Sequence, residues 1–157
     1  MKLIAACFIL FVLIISCGER KEDAPVAAKP VSELEGTWQL ISGKMVSKTD
    51  SNYTDYTKGQ KMIKIITPTH FSFFRHDLNK GKDSANAIFS AGGGTYTLND
   101  NKYAESLEYC SDRNWEGHDF SFTITIANDT LVQTGLEKIE GTDIDRVITE
   151  KYARVKN

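Results

Sequence analysis

The sequence predicts an all-β protein, an antiparallel up-and-down β-barrel of about eight strands. Three observations lead there. Runs with strand-like patterning follow one another from Thr37 to Val155, most of them joined by short polar turns, which is the signature of an antiparallel meander. No stretch is long and periodic enough for a principal helix. A flat sheet of so many strands would leave two open edges and one apolar face in water, and closure into a barrel removes both. A sandwich is the competing arrangement, but it favours long crossovers that this chain mostly lacks.

The barrel is organised around Gly36-Thr37-Trp38-Gln39-Leu40, where a polar leader ends and regular β-patterning begins. Trp38 is the largest apolar side chain available to start a core, and Gly36 permits a bend or close approach at the strand start. The first run, Thr37 to Val46, gives way to a polar stretch, Ser47 to Thr57, read as a loop with room for a short helix or lid. Met62 to Thr67 is β-branched and stops at Pro68, which cannot donate to a ladder. His70 to His76 follows, with Phe71 and Phe73 on one face and Phe74 on the other. Ala87 to Leu98 contains Gly92-Gly93-Gly94, which marks a bulge or sharp bend. A phosphate cradle would need a following helix and a Lys-Ser/Thr; Thr95-Tyr96-Thr97 is β-forming instead.

Asn99-Asp100-Asn101 reads as a hairpin turn. Tyr103 to Cys110 alternates, with Tyr103, Glu105, Leu107 and Tyr109 on one face. Ser111 to Asp119 is a longer loop carrying Trp115. Phe120 to Ile126 is the cleanest period-2 segment, with a Phe/Ile face to bury. Asn128-Asp129 turns tightly into Thr130 to Leu136, and Val147 to Val155 closes the chain.

The N-terminal region is an address rather than part of the fold. Lys2 gives a short basic start, Leu3 to Ile15 is continuously apolar, and Ser16-Cys17-Gly18 follows. That apolar run falls short of the roughly 20 residues of a spanning helix and has the length of a signal-peptide core. Leu13-Ile14-Ile15-Ser16-Cys17 resembles a bacterial lipobox, which implies a signal peptide over 1–16 and lipidation, of the palmitate type, at Cys17. An ordinary signal peptide cut near Ser16 is the other reading. Two or more acyl chains on one cysteine anchor stably, where a single chain binds marginally. Residues 17–32 then form a charged, proline-bearing tether, and 33–157 form the barrel domain. Lys21-Glu22-Asp23 is similar to export signals of surface-exposed lipoproteins in the Bacteroidetes; a merely solvated linker explains it equally well.

Composition narrows the function. Hydrophobic residues make up 41% and charged residues 25% of 157, an ordinary globular balance for one domain. The net charge of -2 comes with scattered Lys and Arg, so no basic stripe suits nucleic acid. With Cys7 in the leader and Cys17 lipidated, Cys110 alone remains in the body, which excludes an intrachain disulfide and a cysteine-based zinc site. Cys110 on a strand is read as a small apolar residue rather than a nucleophile. His70 and His76 stand about 20 Å apart on an extended strand, too far to share a metal, and with His118 they are read as surface or rim histidines. Glu105 and Glu108 fall on opposite faces and make no catalytic pair. There is no nucleophile elbow, so no catalytic residue, metal or cofactor is assigned.

In order, Gly36-Thr37-Trp38, Gly94-Thr95-Tyr96, Tyr103-Ala104-Glu105, Phe120-Ser121-Phe122, Asn128-Asp129-Thr130-Leu131 and Tyr152-Ala153-Arg154-Val155 resemble the lipocalin and fatty-acid-binding-protein superfamily. More narrowly, the chain resembles lipocalin-like lipoproteins of the Bacteroidetes, many of unknown function. The resemblance covers about Glu33 to Val155. It implies that Arg154 stacks on Trp38 to close the barrel base, as a cation–π contact. In the fatty-acid-binding pattern an Arg precedes a Tyr by two in the last strand; here Tyr152 precedes Arg154, which argues against a carboxylate clamp of that type.

A binding barrel needs an apolar lining with a few orienting polar groups. The candidate ligand-binding residues are Phe71, Phe73 and Arg75 on one strand face, Tyr96 and Tyr109 on neighbouring strands, and Phe120 and Phe122 beyond. With those faces inward, Arg75 meets an anionic head group amid aromatics; the other reading is that the aromatics fill a solid core and Arg75 lies at the rim. The expectation is a monomeric, non-enzymatic barrel, anchored by lipid to the bacterial cell envelope, in the outer membrane and at the cell surface, that takes a small apolar or amphipathic ligand. The alternative is a protein-interaction or inhibitor module with a packed interior and an exposed Trp115 loop as its contact.

Overall fold

A computed structural model describes residues 32–156. The leader, Cys17 and the tether before residue 32 lie outside the described residues. Nine strands succeed one another: β1 (Gly36–Ser47), β2 (Ser51–Asp55), β3 (Gln60–Ile66), β4 (His70–Asp77), β5 (Phe89–Asn99), β6 (Lys102–Cys110), β7 (His118–Ala127), β8 (Thr130–Lys138) and β9 (Asp145–Arg154). Their order in the sheet is β2-β1-β3-β4-β5-β6-β7-β8-β9, and β9 pairs again with β1, so the sheet closes. All pairs are antiparallel. The expected up-and-down barrel is the observed one, with β1 and β3–β9 as its eight staves.

The ninth strand corrects the reading of Ser47 to Thr57 as a loop. β2 is exposed along most of its length, so it has no apolar period to read. It forms because the second half of β1 needs a partner: Gly36–Gln39 pairs with β3, and Ser42–Val46 pairs with β2. The change of partner coincides with a register shift between Leu40 and Ser42 on the β9 side. Ile41 is the residue inserted there, and its carbonyl accepts the amide of Tyr56 (2.9 Å).

The turns follow local chemistry. Asn128 (φ 49°) and Asp129 (φ 57°) are both left-handed, the geometry of a two-residue hairpin that suits the twist of its strands and that Asn and Asp tolerate. Between β4 and β5 the buried Asp77 carboxylate accepts the amides of Gly81 (2.8 Å) and Ile88 (3.0 Å), tying down both ends of the connection.

The glycine triplet makes a bulge. Gly93 faces Tyr109 and Thr95 faces Ser106, so Gly94 stands opposite two residues of β6. A Cβ on Gly94 would meet the Ser106 carbonyl oxygen at 1.9 Å, and only glycine admits that approach. The extra β6 residue reverses which side chains point inward. Tyr103, Glu105 and Leu107 are buried before the bulge; beyond it Tyr109 is 68% exposed.

The core fills one end. Trp38 and Leu40 from the start of β1, Ile66 from the end of β3, Phe71 from the start of β4, Tyr103 from the start of β6, Leu131 from the start of β8 and Tyr152 from the end of β9 are all buried. In an antiparallel barrel those positions share a single end. Leu34 plugs it, and the indole nitrogen of Trp38 donates to the Leu34 carbonyl (2.8 Å). The Arg154 guanidinium lies 4.1 Å from the Trp38 ring centre and donates to the carbonyls of Glu33 (2.5 Å) and Glu35 (2.9 Å). Burial of a large side chain is worth about 1.5–3 kcal/mol, and Leu34, Trp38, Leu40, Tyr103, Leu131 and Tyr152 in this plug are each almost completely buried.

Candidate ligand cavity

The opposite end is hollow. A cavity of about 290 Å³ is lined by the far ends of the same strands: Met62 and Lys64 of β3, Phe73 and Arg75 of β4, Ser90 of β5, Cys110 of β6, Glu137 of β8, and Arg146, Ile148 and Glu150 of β9. Tyr56, between β2 and β3, and Trp115, between β6 and β7, complete the wall.

Four of the expected ligand residues line this space: Phe73, Arg75, Phe120 and Phe122. Three do not. Phe71 is buried beneath it in the plugged end. Tyr96 also lies toward that end, its ring 5.3 Å from Tyr103 and its hydroxyl donating to the Thr67 carbonyl (2.8 Å). Tyr109 was expected on the inward face; the β6 bulge puts it on the outside, and Cys110 takes its place at the cavity wall. The Trp115 loop is not the exposed contact that the interaction reading requires. Trp115 folds over the cavity, 5.6 Å from Phe120, with the Arg146 guanidinium 5.1 Å from its ring centre.

The floor is polar, which was not anticipated. Lys64, 4% exposed in its side chain, donates to Glu105 Oε1 at 2.7 Å and to Gln133 Oε1 at 3.2 Å. Its ammonium also lies 5.5–5.7 Å from the ring centres of Phe71, Tyr103 and Tyr152. Gln133 donates to Glu150 Oε2 (3.4 Å), which also accepts the Tyr152 hydroxyl (2.6 Å). Nearer the mouth, Arg146 donates to Glu137 (2.7 Å). Arg75 donates to Gln60 (2.7 Å), and its guanidinium lies 5.2 Å from the Tyr56 ring centre. Beneath this layer the Tyr103 hydroxyl is the one buried side-chain polar atom without a hydrogen-bond partner among the described residues.

Removal from water dominates the electrostatics. Burial raises the carboxyl pKa of Glu150 above its ordinary value, with the Lys64 charge opposing. Burial raises Glu137 likewise, against the pull of Arg146. The Tyr152 phenol is pushed well up by burial and by the neighbouring Glu150 charge, so it stays a donor. Such a set can hold a polar group without water, because its donors and acceptors are already fixed in place.

These polar residues carry a sequence signal. Lys64 stands between Met62 and Ile66, Glu105 between Tyr103 and Leu107, and Glu150 between Ile148 and Tyr152. Each occupies an inward slot of a period-2 strand whose other inward slots are apolar. A polar residue at the buried parity of several strands marks a polar barrel interior. His70 and His76 are exposed, and among the described residues no group of three His, Cys, Asp or Glu is placed to hold a metal ion.

Among solved structures, a crystal structure of a mutant of the fluorescent protein UnaG is similar at 12% identity, over 79% of this chain and 97% of that chain, with a TM-score of 0.38. No curated protein matches the chain. Residues 33–157 match the model of a family described as a domain of unknown function, DUF4488, and the chain belongs to that family.

Proposed function

We propose that this protein is a non-enzymatic carrier or sensor that binds a small amphipathic molecule in its barrel, and that acylation at Cys17 holds it to the bacterial cell envelope as a lipocalin-like lipoprotein of the Bacteroidetes type. The cavity carries the reading. A barrel sealed at one end by Trp38, Leu34 and Arg154 and hollow at the other, with about 290 Å³ walled by Phe73, Trp115, Phe120 and Phe122 over a polar floor, has the layout of a ligand site. The carboxylates of Glu105 and Glu137 are engaged by Lys64 and Arg146, which favours binding over proton transfer. A ligand of the cavity's size occupies the volume of about ten waters.

Native mass spectrometry of protein purified without denaturation tests this. The expected result is a non-covalent adduct that is lost on unfolding. Protein that carries no adduct and does not bind 1-anilinonaphthalene-8-sulfonate with quenching of Trp115 contradicts the reading. Labelling of cells with palmitate, lost in Cys17→Ala, tests the anchor independently.

A second reading, an interaction module, is favoured by the outer face of β4–β6. There Phe74 (44%), Phe89 (75%) and Tyr109 (68%) are exposed around the glycine triplet.

A further inference from the structure

We propose that the cavity selects a zwitterion: a small molecule with an apolar body, an anionic group that pairs with Arg75, and an ammonium that pairs with Glu150. The proposal rests on the ligand-binding reading above and narrows it to a chemical class.

The argument is a charge inventory of the wall. Of its three cations, Lys64 is taken by Glu105 and Gln133, and Arg146 is taken by Glu137. Arg75 is different. Among the described residues its one hydrogen-bond partner is the neutral amide oxygen of Gln60, reached through Nε, and no carboxylate lies within salt-bridge distance. Its remaining guanidinium nitrogens, seated against Tyr56, are free to grip a planar anion. Of the carboxylates, Glu105 and Glu137 have their cations, and Asp112, exposed at the rim, accepts from the backbone and side-chain amides of Asn114; Glu150, set deeper, has no cation within salt-bridge distance among the described residues. Both of its hydrogen bonds, from Tyr152 and Gln133, fall on Oε2, so Oε1 is left for a donor.

Away from the exposed rim, one cation and one carboxylate therefore stand unmatched around the same cavity. Tyr56 connects them: it carries the Arg75 guanidinium on its ring and shares a side recess with Glu150. A purely anionic ligand would satisfy Arg75 and leave Glu150 desolvated beneath it. A purely cationic ligand would do the reverse. Either leaves a buried, unpaired charge, the costliest element of any site. A ligand with both signs matches both, and Phe73, Trp115, Phe120 and Phe122 receive its apolar body.

The test is isothermal titration of the intact protein with matched triads. L-phenylalanine and L-leucine are each compared with the acid lacking the amine and the amine lacking the carboxylate, with the uncharged dye N-phenyl-1-naphthylamine as a check on the cavity that does not depend on charge. The expected result is that one or both amino acids bind at least about tenfold more tightly than either of their partial analogues. Arg75→Met should abolish the advantage over the amine, and Glu150→Gln the advantage over the acid. Urea midpoints verify that both variants fold. A partial analogue that binds as tightly as its amino acid overturns the proposal, as does an unchanged ranking in Glu150→Gln. If the naphthalene dye binds and neither amino acid does, the zwitterion proposal fails while the cavity reading stands. If nothing binds, both fail.

Discussion

Replacing Lys64 by Met should be among the most damaging single changes in the barrel, although it swaps a polar residue for an apolar one inside a core. The ammonium goes; the unbranched stem and most of the volume stay. What is left behind decides the outcome. Glu105, 8% exposed, loses the partner 2.7 Å away, and Gln133 loses a donor to its Oε1. Breaking one side of a buried ion pair costs about 3–5 kcal/mol, because the surviving charge stays desolvated. With a urea dependence of about 2 kcal/mol per molar, the unfolding midpoint drops by roughly 2 M.

The double variant Lys64→Met with Glu105→Leu removes both charges, and its stability should return to within about 1 kcal/mol of the parent. That strong non-additivity is the signature of a coupled pair. The assay is urea denaturation at pH 7 followed by far-ultraviolet circular dichroism, on all four members of the cycle. A loss below about 1 kcal/mol in the single variant, or a double variant no better than the single, refutes the claim that a dry ion pair holds the floor.

Two further outcomes follow from the same geometry. Arg154→Met removes the stacking on Trp38 and two hydrogen bonds to the Glu33 and Glu35 carbonyls; it should cost about 2–3 kcal/mol and red-shift the Trp38 emission, and Arg154→Lys should recover less than half, since an ammonium cannot both lie flat on the ring and fork to two carbonyls. Glu150→Gln should be relatively more stable than the parent at neutral pH, and the gap should close on acidification. The folded-state pKa of Glu150 is raised above its ordinary 4.5, so the native state binds the extra proton and its stability falls as pH rises through that raised value; urea midpoints from pH 4 to 8 check the sign, and a gap that widens toward low pH would contradict it.

Much of the barrel was legible because period-2 patterning reports burial directly. Phe120 to Ile126 alternates cleanly, and β7 buries its Phe/Ile face accordingly. Asn128-Asp129 and Pro68 mark turns through backbone chemistry that acts locally. β2 was not legible: its side chains are exposed, and it exists through backbone pairing with β1. The cavity was half legible. Phe73, Arg75, Phe120 and Phe122 could be placed by parity, whereas Tyr109 could not, because one extra β6 residue in its pairing with β5 reverses parity without altering composition.

By itself the sequence determined the all-β class, the positions of most strands and turns, and the pairing of large aromatics with period-2 faces, since these depend on local backbone preference and on which side chains water rejects. Only the tertiary structure decided where the barrel is solid and where it is hollow, and which charges meet inside. Lys64 is 41 residues from Glu105 and 69 from Gln133 along the chain. They share one floor because closing the sheet brings the inward slots of separate strands to the same height, and that height depends on register, a property no single strand carries.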